Sequence, residues 1–342
     1  MDTETETTLV AYRLADLVVR VRSDQAAVLD YLDHFYTRWE QAGDSETWIV
    51  DSRLESPDAD LIVDQFGVGH RADTRRRELL VRADNVFNLQ VTTRKCLRDV
   101  MVAQCEAMGY AMIHASAVNV ENLVIIFVGN SGCGKTTLAL TAAVKSGYHY
   151  LANDHLIVYR DASGSSDIVL SSLPTLIPVR LATYCELEGY LPHPLLTEGG
   201  GLESCRDIAP SERYARPDTF FYTYKQLGQV NPVAVRVSPS SGKGEIAIVY
   251  PQYAGFGVRD ERPEPLASVW PELANHIRTD WPFDPNLNRR YLPRKQRSPE
   301  QYLSDGRELA HDLAERAMGF RWRHGGDATP LVNRLREERG SP

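Results

Sequence analysis

The sequence predicts an α/β fold, on three observations. Residues 123–128 form an unbroken apolar run, Leu-Val-Ile-Ile-Phe-Val, as in a strand covered on both faces within a largely parallel sheet. A glycine loop follows at once: Gly129-Asn130-Ser131-Gly132-Cys133-Gly134-Lys135-Thr136. Behind it, residues 135–146 read as a helix that Gly147 stops, and residues 148–160 hold another strand or two. Strand, loop, helix and strand in succession indicate an α/β core.

Around that core the remaining elements are read in chain order. Residues 9–22 are strand-like. A helix is expected next, because Val28, Leu32, Phe35, Tyr36 and Trp39 recur at helical spacing, with Ser23 placed to cap it and Gly43 to end it. Strand-like pieces surround residues 48–50, 61–63 and 79–81, so residues 1–92 form a smaller α/β lobe. A helix over 93–108 buries Leu97, Val100, Met101 and Met108, with Gly109 in the left-handed position after its end. Residues 110–118 read as one strand. Residues 161–167 are a turn, and Gly199-Gly200-Gly201 opens a polar stretch that runs to Pro217. Residues 238–244 look like a turn between strands at 233–237 and 246–250. A last helix begins at Ser298-Pro299-Glu300-Gln301, where Ser caps, Pro takes the first turn and Gln reaches back. The expected domains are the lobe at 1–92, a nucleotide-binding domain at 93–325 and a partly mobile helical tail at 326–342.

Composition narrows the classes. With 342 residues, 43% hydrophobic and 25% charged, the chain reads as one large or two ordinary globular domains. No apolar run approaches the roughly 18 residues of a membrane-spanning helix. The acidic, polar start does not resemble a secretion signal. Five scattered cysteines without a C-x-x-C pair argue against a disulfide framework or a zinc site, which leaves a reducing cytoplasm as the expected setting. Net charge is −8, but residues 289–342 carry twelve Lys+Arg against eight Asp+Glu, or +4, leaving −12 elsewhere. That basic stretch is either a solvated helical face or a docking surface for an acidic partner. A nucleic-acid binder would show a denser basic cluster, so neither nucleic acid nor membrane is expected as partner. A homo-oligomer is expected.

The glycine loop has the pattern G-x-x-x-x-G-K-[ST]. Its glycines let backbone N–H groups curl around phosphates; Lys135 reaches the terminal phosphates, and the Thr136 hydroxyl serves Mg²⁺. The helix behind it directs its positive end at the same anion. The nucleotide-binding set is therefore Gly129 through Thr136 together with Thr137. Cys133 occupies a free position of the pattern and is assigned no redox role. Such a loop serves kinases, motors and switches alike, so it does not by itself name a reaction.

The flanks are more specific. One strand upstream stands Ile113-His114-Ala115-Ser116-Ala117-Val118, and one strand downstream Gly147-Tyr148-His149-Tyr150-Leu151-Ala152-Asn153-Asp154. The stretch from Ile113 to Asp154 resembles the catalytic core of the HPr kinase/phosphorylase family and its HPr-kinase-like relatives, whose fold is akin to phosphoenolpyruvate carboxykinase. The resemblance implies phosphoryl transfer from ATP, with Mg²⁺, to a serine-type hydroxyl. Carried over by residue, it makes Lys135, Asp154 and His114 catalytic and gives the metal Thr136 and Asp154. Asn153 departs from the family pattern, which has Asp there, so one carboxylate is missing. Phosphoryl transfer relies on charge neutralisation and alignment. Further cations are therefore sought downstream, among Arg180, Arg206, Arg213, Arg216 and Lys225, with residues 199–217 as a lid over the acceptor.

The expectation is thus an ATP- and Mg²⁺-dependent kinase acting on a hydroxyl of a small metabolite or of a serine in a peptide or protein. Two alternatives stay open: a nucleotide-operated regulatory ATPase, and a family member that binds nucleotide without catalysis.

Overall fold

The computed structural model describes residues 6–40, 47–163, 165–200, 208–209, 212–213, 215–228, 234–238, 245–255, 261–284, 291–293 and 296–340. The class is mixed α/β. The chain divides into two compact units: Met1–Ala111 with Arg278–Asp305, and Met112–Ile277 with Gly306–Pro342. The division falls after Ala111 rather than at the expected 92/93 boundary, and residues 278–305 return to the first unit.

In the first unit, β1 (Thr8–Leu14) and β2 (Leu17–Ser23) form an antiparallel hairpin. The single strand expected over 9–22 is therefore two. Leu14 pairs with Leu17, and Ala15 in the link takes φ +52°, the positive φ that two-residue hairpin links favour. Helix α1 (Ala26–Leu32) is shorter than the periodicity suggested, and Gln25, not Ser23, stands at its N-cap. Thr37, Arg38 and Trp39 leave the helical pattern to form β3 (Thr37–Trp39), which pairs with β1 and lays Trp39 under the Arg13 guanidinium at 4.2 Å. β-branched and aromatic residues suit that edge strand better than a helix end. Gly43 lies outside the described residues. Then follow β4 (Trp48–Leu54), β5 (Ile62–Val63), β6 (Gly69–Asp73), β7 (Glu78–Ala83) and the long α2 (Val86–Ala107), which starts seven residues before the expected 93. The sheet order is β3-β1-β2-β4-β7-β6-β5, with β2, β4 and β7 parallel. The buried Asp99 carboxylate on α2 accepts the amides of Tyr291 and Leu292 (2.9 and 3.0 Å) and so fastens the returning segment.

In the second unit, β8 (Ala111–Ile113) and β9 (Ala115–Val120) replace the one strand expected over 110–118. The chain breaks at His114, whose amide bonds to the His276 carbonyl at 2.8 Å, and the two strands enter different sheets. β10 (Leu123–Val128), α3 (Lys135–Ser146) and β11 (His149–Ala152) follow as expected, with Gly147 at φ +71° closing α3. Next come β12 (Leu156–Arg160), β13 (Ile168–Ser172), β14 (Ile177–Arg180), α4 (Leu181–Leu187), β15 (Leu196–Glu198) and β16 (Thr219–Tyr222). After them stand β17 (Val235–Val237), β18 (Ile246–Tyr253), β19 (Glu264–Leu266) and α5 (Trp270–Ala274). Short α6 (Asp280–Phe283) belongs to the returning segment; α7 (Pro299–Glu315), β20 (Met318–His324) and α8 (Thr329–Gly340) complete the chain.

The principal sheet of this unit runs β11-β9-β10-β18-β20-β19, with β10, β18 and β20 parallel. A four-stranded sheet (β17-β13-β12-β8) and a three-stranded one (β14-β16-β15) accompany it. The strands flanking residues 238–244 thus sit in different sheets, and the turn expected between them does not make a hairpin. One core gathers Phe127 and Val249 from the sheet, Leu138 from α3 and Leu331 and Leu335 from α8. The expected mobile tail is therefore a packed helix over these residues. Ser298 and Gln301 form the expected reciprocal cap of α7: Gln301 N bonds to Ser298 Oγ (3.2 Å), and Ser298 N to Gln301 Oε1 (3.0 Å). Among the described residues no helix is long and apolar enough to cross a membrane.

Candidate functional site

The glycine loop leaves the carboxyl end of β10 and enters α3. Gly134 holds the N-cap position at φ +98°, and no side chain caps the helix. Any larger residue is excluded there, because a Cβ would stand 2.5 Å from the His324 ring. The N-cap itself therefore offers the first amides of α3 no acceptor, the arrangement that attracts phosphate. Lys135 is buried, and its Nζ donates to the carbonyls of Gly129 (2.7 Å) and Asn130 (3.2 Å), tying the two ends of the loop together. Asn130, Ser131 and Gly132 face outward as its exposed rim. Burial raises the Cys133 thiol above its ordinary value despite Lys135 nearby, so the loop cysteine carries a proton rather than a reactive thiolate.

Downstream of β11 lies the second part. Asn153 is fully buried, and its Oδ1 accepts from both Thr136 Oγ1 (3.1 Å) and Tyr150 OH (3.0 Å). Its amide donates to Tyr224 OH at 2.9 Å, while Nδ2 has no partner among the described residues. The hydroxyl expected to serve a metal is thus held by a neutral side chain where the family pattern has a carboxylate. Thr137 instead shares a hydrogen bond with Thr183 at 2.8 Å. It anchors α3 to α4.

Asp154 takes φ +60°, and the amide of His155 bonds to the carbonyl of Asn153 across it at 2.7 Å. This three-residue turn is strained for a non-glycine residue, and such strain concentrates at functional positions. Its Oδ1 stands 3.5 Å from His114 Nε2, each side chain about a third exposed. Burial pushes the Asp154 carboxyl up, but the hydrogen bond to His114 and the charges of His155 and Lys135 outweigh it. The group is held below its ordinary value and is ionised at neutral pH.

A cavity of about 630 Å³ opens beside the loop. Gly129, Asn130 and Cys133 form one wall, His114 and His276 another, and Tyr250, Pro251 and Arg321 a third. It lies at the carboxyl ends of β10 and β18, where parallel sheets place their ligands. Burial first, then the nearby His114 and Lys135, lower the His276 pKa, with Glu272 opposing; His276 is neutral at neutral pH. Arg321 pairs with Glu272 at 3.2 Å, both half exposed.

His324, at the end of β20, supports the loop from behind. It is fully buried and packs against Trp322 (5.1 Å between centroids) and Tyr253 (5.6 Å). Its Nδ1 accepts the Gly326 amide at 3.1 Å, so the proton resides on Nε2, which donates to the Cys133 carbonyl at 3.0 Å.

The structure thus brings together His114, Asp154, Lys135, Thr136 and the loop from the sequence-derived set. Among the described downstream cations, it brings none of Arg180, Arg213, Arg216 and Lys225 to the cavity wall. Arg180 ends β14 in the three-stranded sheet, Arg213 Nε bonds to the Ile208 carbonyl (3.1 Å), and Arg216 pairs with Asp218 (3.2 Å). Lys225 stands in the exposed turn after β16, and Arg206 lies outside the described residues. Most of the lid expected over 199–217 also lies outside them; at its start the Gly200 amide bonds to Asp218 Oδ1 at 2.8 Å. Sequence reasoning missed His276, Arg321 and His324. Arg321 and His324 stand toward the carboxyl end of β20 and His276 follows α5, and nothing in either local pattern connects them to a loop so far back in the sequence.

For Mg²⁺, the available donors are the Thr136 hydroxyl and the Asp154 carboxylate. This oxygen set is small, and it suits an ion that takes most of its ligands from phosphates and water. Among the described residues no cluster of three or more His, Cys, Asp or Glu side chains could hold a metal. No family model matches the chain, and no curated protein matches it.

Proposed function

We propose that the chain is an ATP-dependent phosphotransferase of the HPr-kinase-like type, acting in the cytoplasm on a hydroxyl of a small metabolite or of a serine in a peptide or protein. One observation carries the reading: a glycine loop with an uncapped helix behind it opens onto a cavity walled by His114, which is itself paired with the ionised Asp154. The loop amides and Lys135 bind and orient the β- and γ-phosphates. The acceptor hydroxyl lies in the cavity, in line with the γ-phosphorus. Its oxygen forms the new P–O bond as the bond to the β-phosphate oxygen breaks, ADP leaves, and the hydroxyl proton passes to the Asp154–His114 pair. Thr136 and Asp154 would hold Mg²⁺, which supplies charge neutralisation at the phosphates when bound. Asn153 lowers the negative charge beside those phosphates by one compared with an Asp.

Asn153 also favours a second reading, a nucleotide-operated regulatory ATPase. Its buried bonds to Thr136, Tyr150 and Tyr224 are those of a structural residue. Incubation with γ-labelled ATP and Mg²⁺ against hydroxyl-bearing metabolites and the products of neighbouring genes separates the two. A kinase transfers label to one acceptor with little free phosphate released. ATP hydrolysis that no acceptor alters would favour the switch, and failure to bind ATP would remove both.

A further inference from the structure

Among the described residues, the first unit holds a buried cation with no counter-charge. Arg94 and Arg98 stand four residues apart on α2, a spacing that puts both on one face and sets like charges side by side. Arg94 is only 7% exposed. Its guanidinium lies over the Phe35 ring at 4.7 Å, and that of Arg98 over the Trp281 ring at the same distance. Next to Phe35, Tyr36 is 3% exposed, and neither its hydroxyl nor Arg94 Nε has a hydrogen-bond partner among the described residues. No carboxylate among them pairs with Arg94. The one acid on this stretch of α2, Asp99, spends a carboxylate oxygen on the Tyr291 and Leu292 amides.

Such an arrangement is costly as it stands. A lysine or histidine could shed its charge on burial, but a guanidinium keeps its proton at every relevant pH. Stacking on an aromatic ring offsets only part of the desolvation. Burial, then the neighbouring charge of Arg94, lowers the Arg98 pKa. Burial holds the Tyr36 phenol up at about 12 although Arg94 and Arg98 oppose it, so this hydroxyl is a neutral donor at neutral pH. Arg94 Nε and the Tyr36 hydroxyl are thus two buried donors without an acceptor among the described residues. Each guanidinium lies over a ring, and a guanidinium can meet an oxyanion at two points.

We propose that Arg94, with the Tyr36 hydroxyl and the adjoining Arg98, binds a small oxyanion, a phosphate or a carboxylate group, within the first unit. The proposal is independent of the phosphotransferase reading, because none of these residues belongs to the glycine loop or its cavity.

Thermal unfolding of the full chain in chloride buffer, with inorganic phosphate or acetate added at about 10 mM and matched ionic strength, provides the test. At that concentration general salting effects are small, and they cancel between variants. Phosphate should raise Tm by several degrees in the wild type and should still raise it in Lys135→Ala, which separates this site from the glycine loop. Arg94→Met should lose most of that rise, yet in chloride alone unfold no earlier than the wild type, because an uncompensated charge has been removed. Tyr36→Phe should weaken phosphate binding about threefold, a readout that stands even if Arg94→Met does not fold. A rise with phosphate only assigns a phosphate group, and a rise with acetate as well assigns oxyanions generally. No rise with either, or a rise that Arg94→Met and Tyr36→Phe keep and Lys135→Ala loses, would overturn the proposal.

Discussion

Two strand-to-helix crossings in this chain share a local plan and differ at one residue type. In the first unit β7 feeds α2, and in the second β10 feeds α3; each strand is flanked by a parallel neighbour. At α2 the cap is Asn85, whose Oδ1 accepts the Asn88 amide at 2.8 Å. At α3 the cap is Gly134, which has no side chain to offer. Every helix start leaves about four amides without intrahelical partners. α2 satisfies part of that need from the side chain of its N-cap, and α3 has none there to do so. The proposed phosphate site is therefore set apart from the structural crossing by which group answers those amides, rather than by the strand-helix topology itself.

The strongest way to break this comparison is at Lys135. Lys135→Ala should cut phosphoryl transfer by about 10³ by removing the cation aimed at the transferred group. Nucleotide affinity should fall less, since the amides remain. Because Lys135 Nζ also ties the start of α3 back to the carbonyls of Gly129 and Asn130, the variant loop should be cut faster by protease. Calorimetry with ATP and a turnover assay measure the two effects separately. Full activity would reduce the loop of α3 to a turn like the one before α2.

What the sequence made legible follows the same division between local and distant. The run from β10 to β11 was read correctly because strand, glycines, helix and stop are adjacent, and each states its own reason. The reciprocal cap of α7 was legible for the same cause. Where elements depend on distant partners the reading slipped. Thr37, Arg38 and Trp39 continue a helical period, yet pairing with β1 makes them a strand. His114 looked like mid-strand until the His276 carbonyl turned its backbone. The cations sought between Arg180 and Lys225 were chosen for charge, whereas the cavity takes Arg321 from β20, placed there by parallel pairing with β18. No local pattern encodes that pairing.

Asp154 sharpens the comparison on the chemical side. Asp154→Asn should lower transfer about a hundredfold with little change in fold. Two stability effects separate strain from charge. At φ +60° an alanine is strained and a glycine is not, so Asp154→Ala should be less stable than Asp154→Gly by about 1 kcal/mol. The Asp154 carboxyl is also held below its ordinary value, so its ionised form stabilises the fold at every pH above the usual carboxylate range. That contribution is lost only as pH falls through the lower, folded-state value. Denaturant unfolding of wild type and Asp154→Asn from pH 7 to pH 3 should therefore show the gap narrowing only at the acid end. A gap that does not depend on pH would mean the pairing with His114 contributes nothing.

His324 offers a smaller break. His324→Phe keeps the ring packing on Trp322 but leaves the Cys133 carbonyl and the Gly326 amide unbonded. The expected result is roughly a tenfold rise in the Kd for ATP, together with about 1–3 kcal/mol of lost stability. A role confined to packing would lower stability and leave the Kd unchanged. His324→Gln can still donate to the Cys133 carbonyl and should recover part of the affinity.

The smallest effect is expected at the capped crossing, and it tests the comparison from its other side. Asn85→Ala removes the side-chain acceptor at the start of α2 and should cost about 1 kcal/mol of stability, while Asn85→Gly should cost only a few tenths. Neither change should alter the Kd for ATP or the transfer rate, because α2 lacks the loop that would curl further amides around a phosphate. The orphaned amides of Asn85→Ala should nonetheless exchange with solvent faster than in the wild type, at Asn88 above all, since that amide loses its 2.8 Å acceptor. Hydrogen exchange at Val86–Leu89 with and without inorganic phosphate reads this directly. Protection restored by phosphate in Asn85→Ala would show that a bare helix start is enough to hold the anion. The glycines between β10 and α3 would then be needed only for the turn. Exchange that stays fast with phosphate present would place the anion preference of α3 in the loop and its Lys135, with the helix end as the lesser contributor.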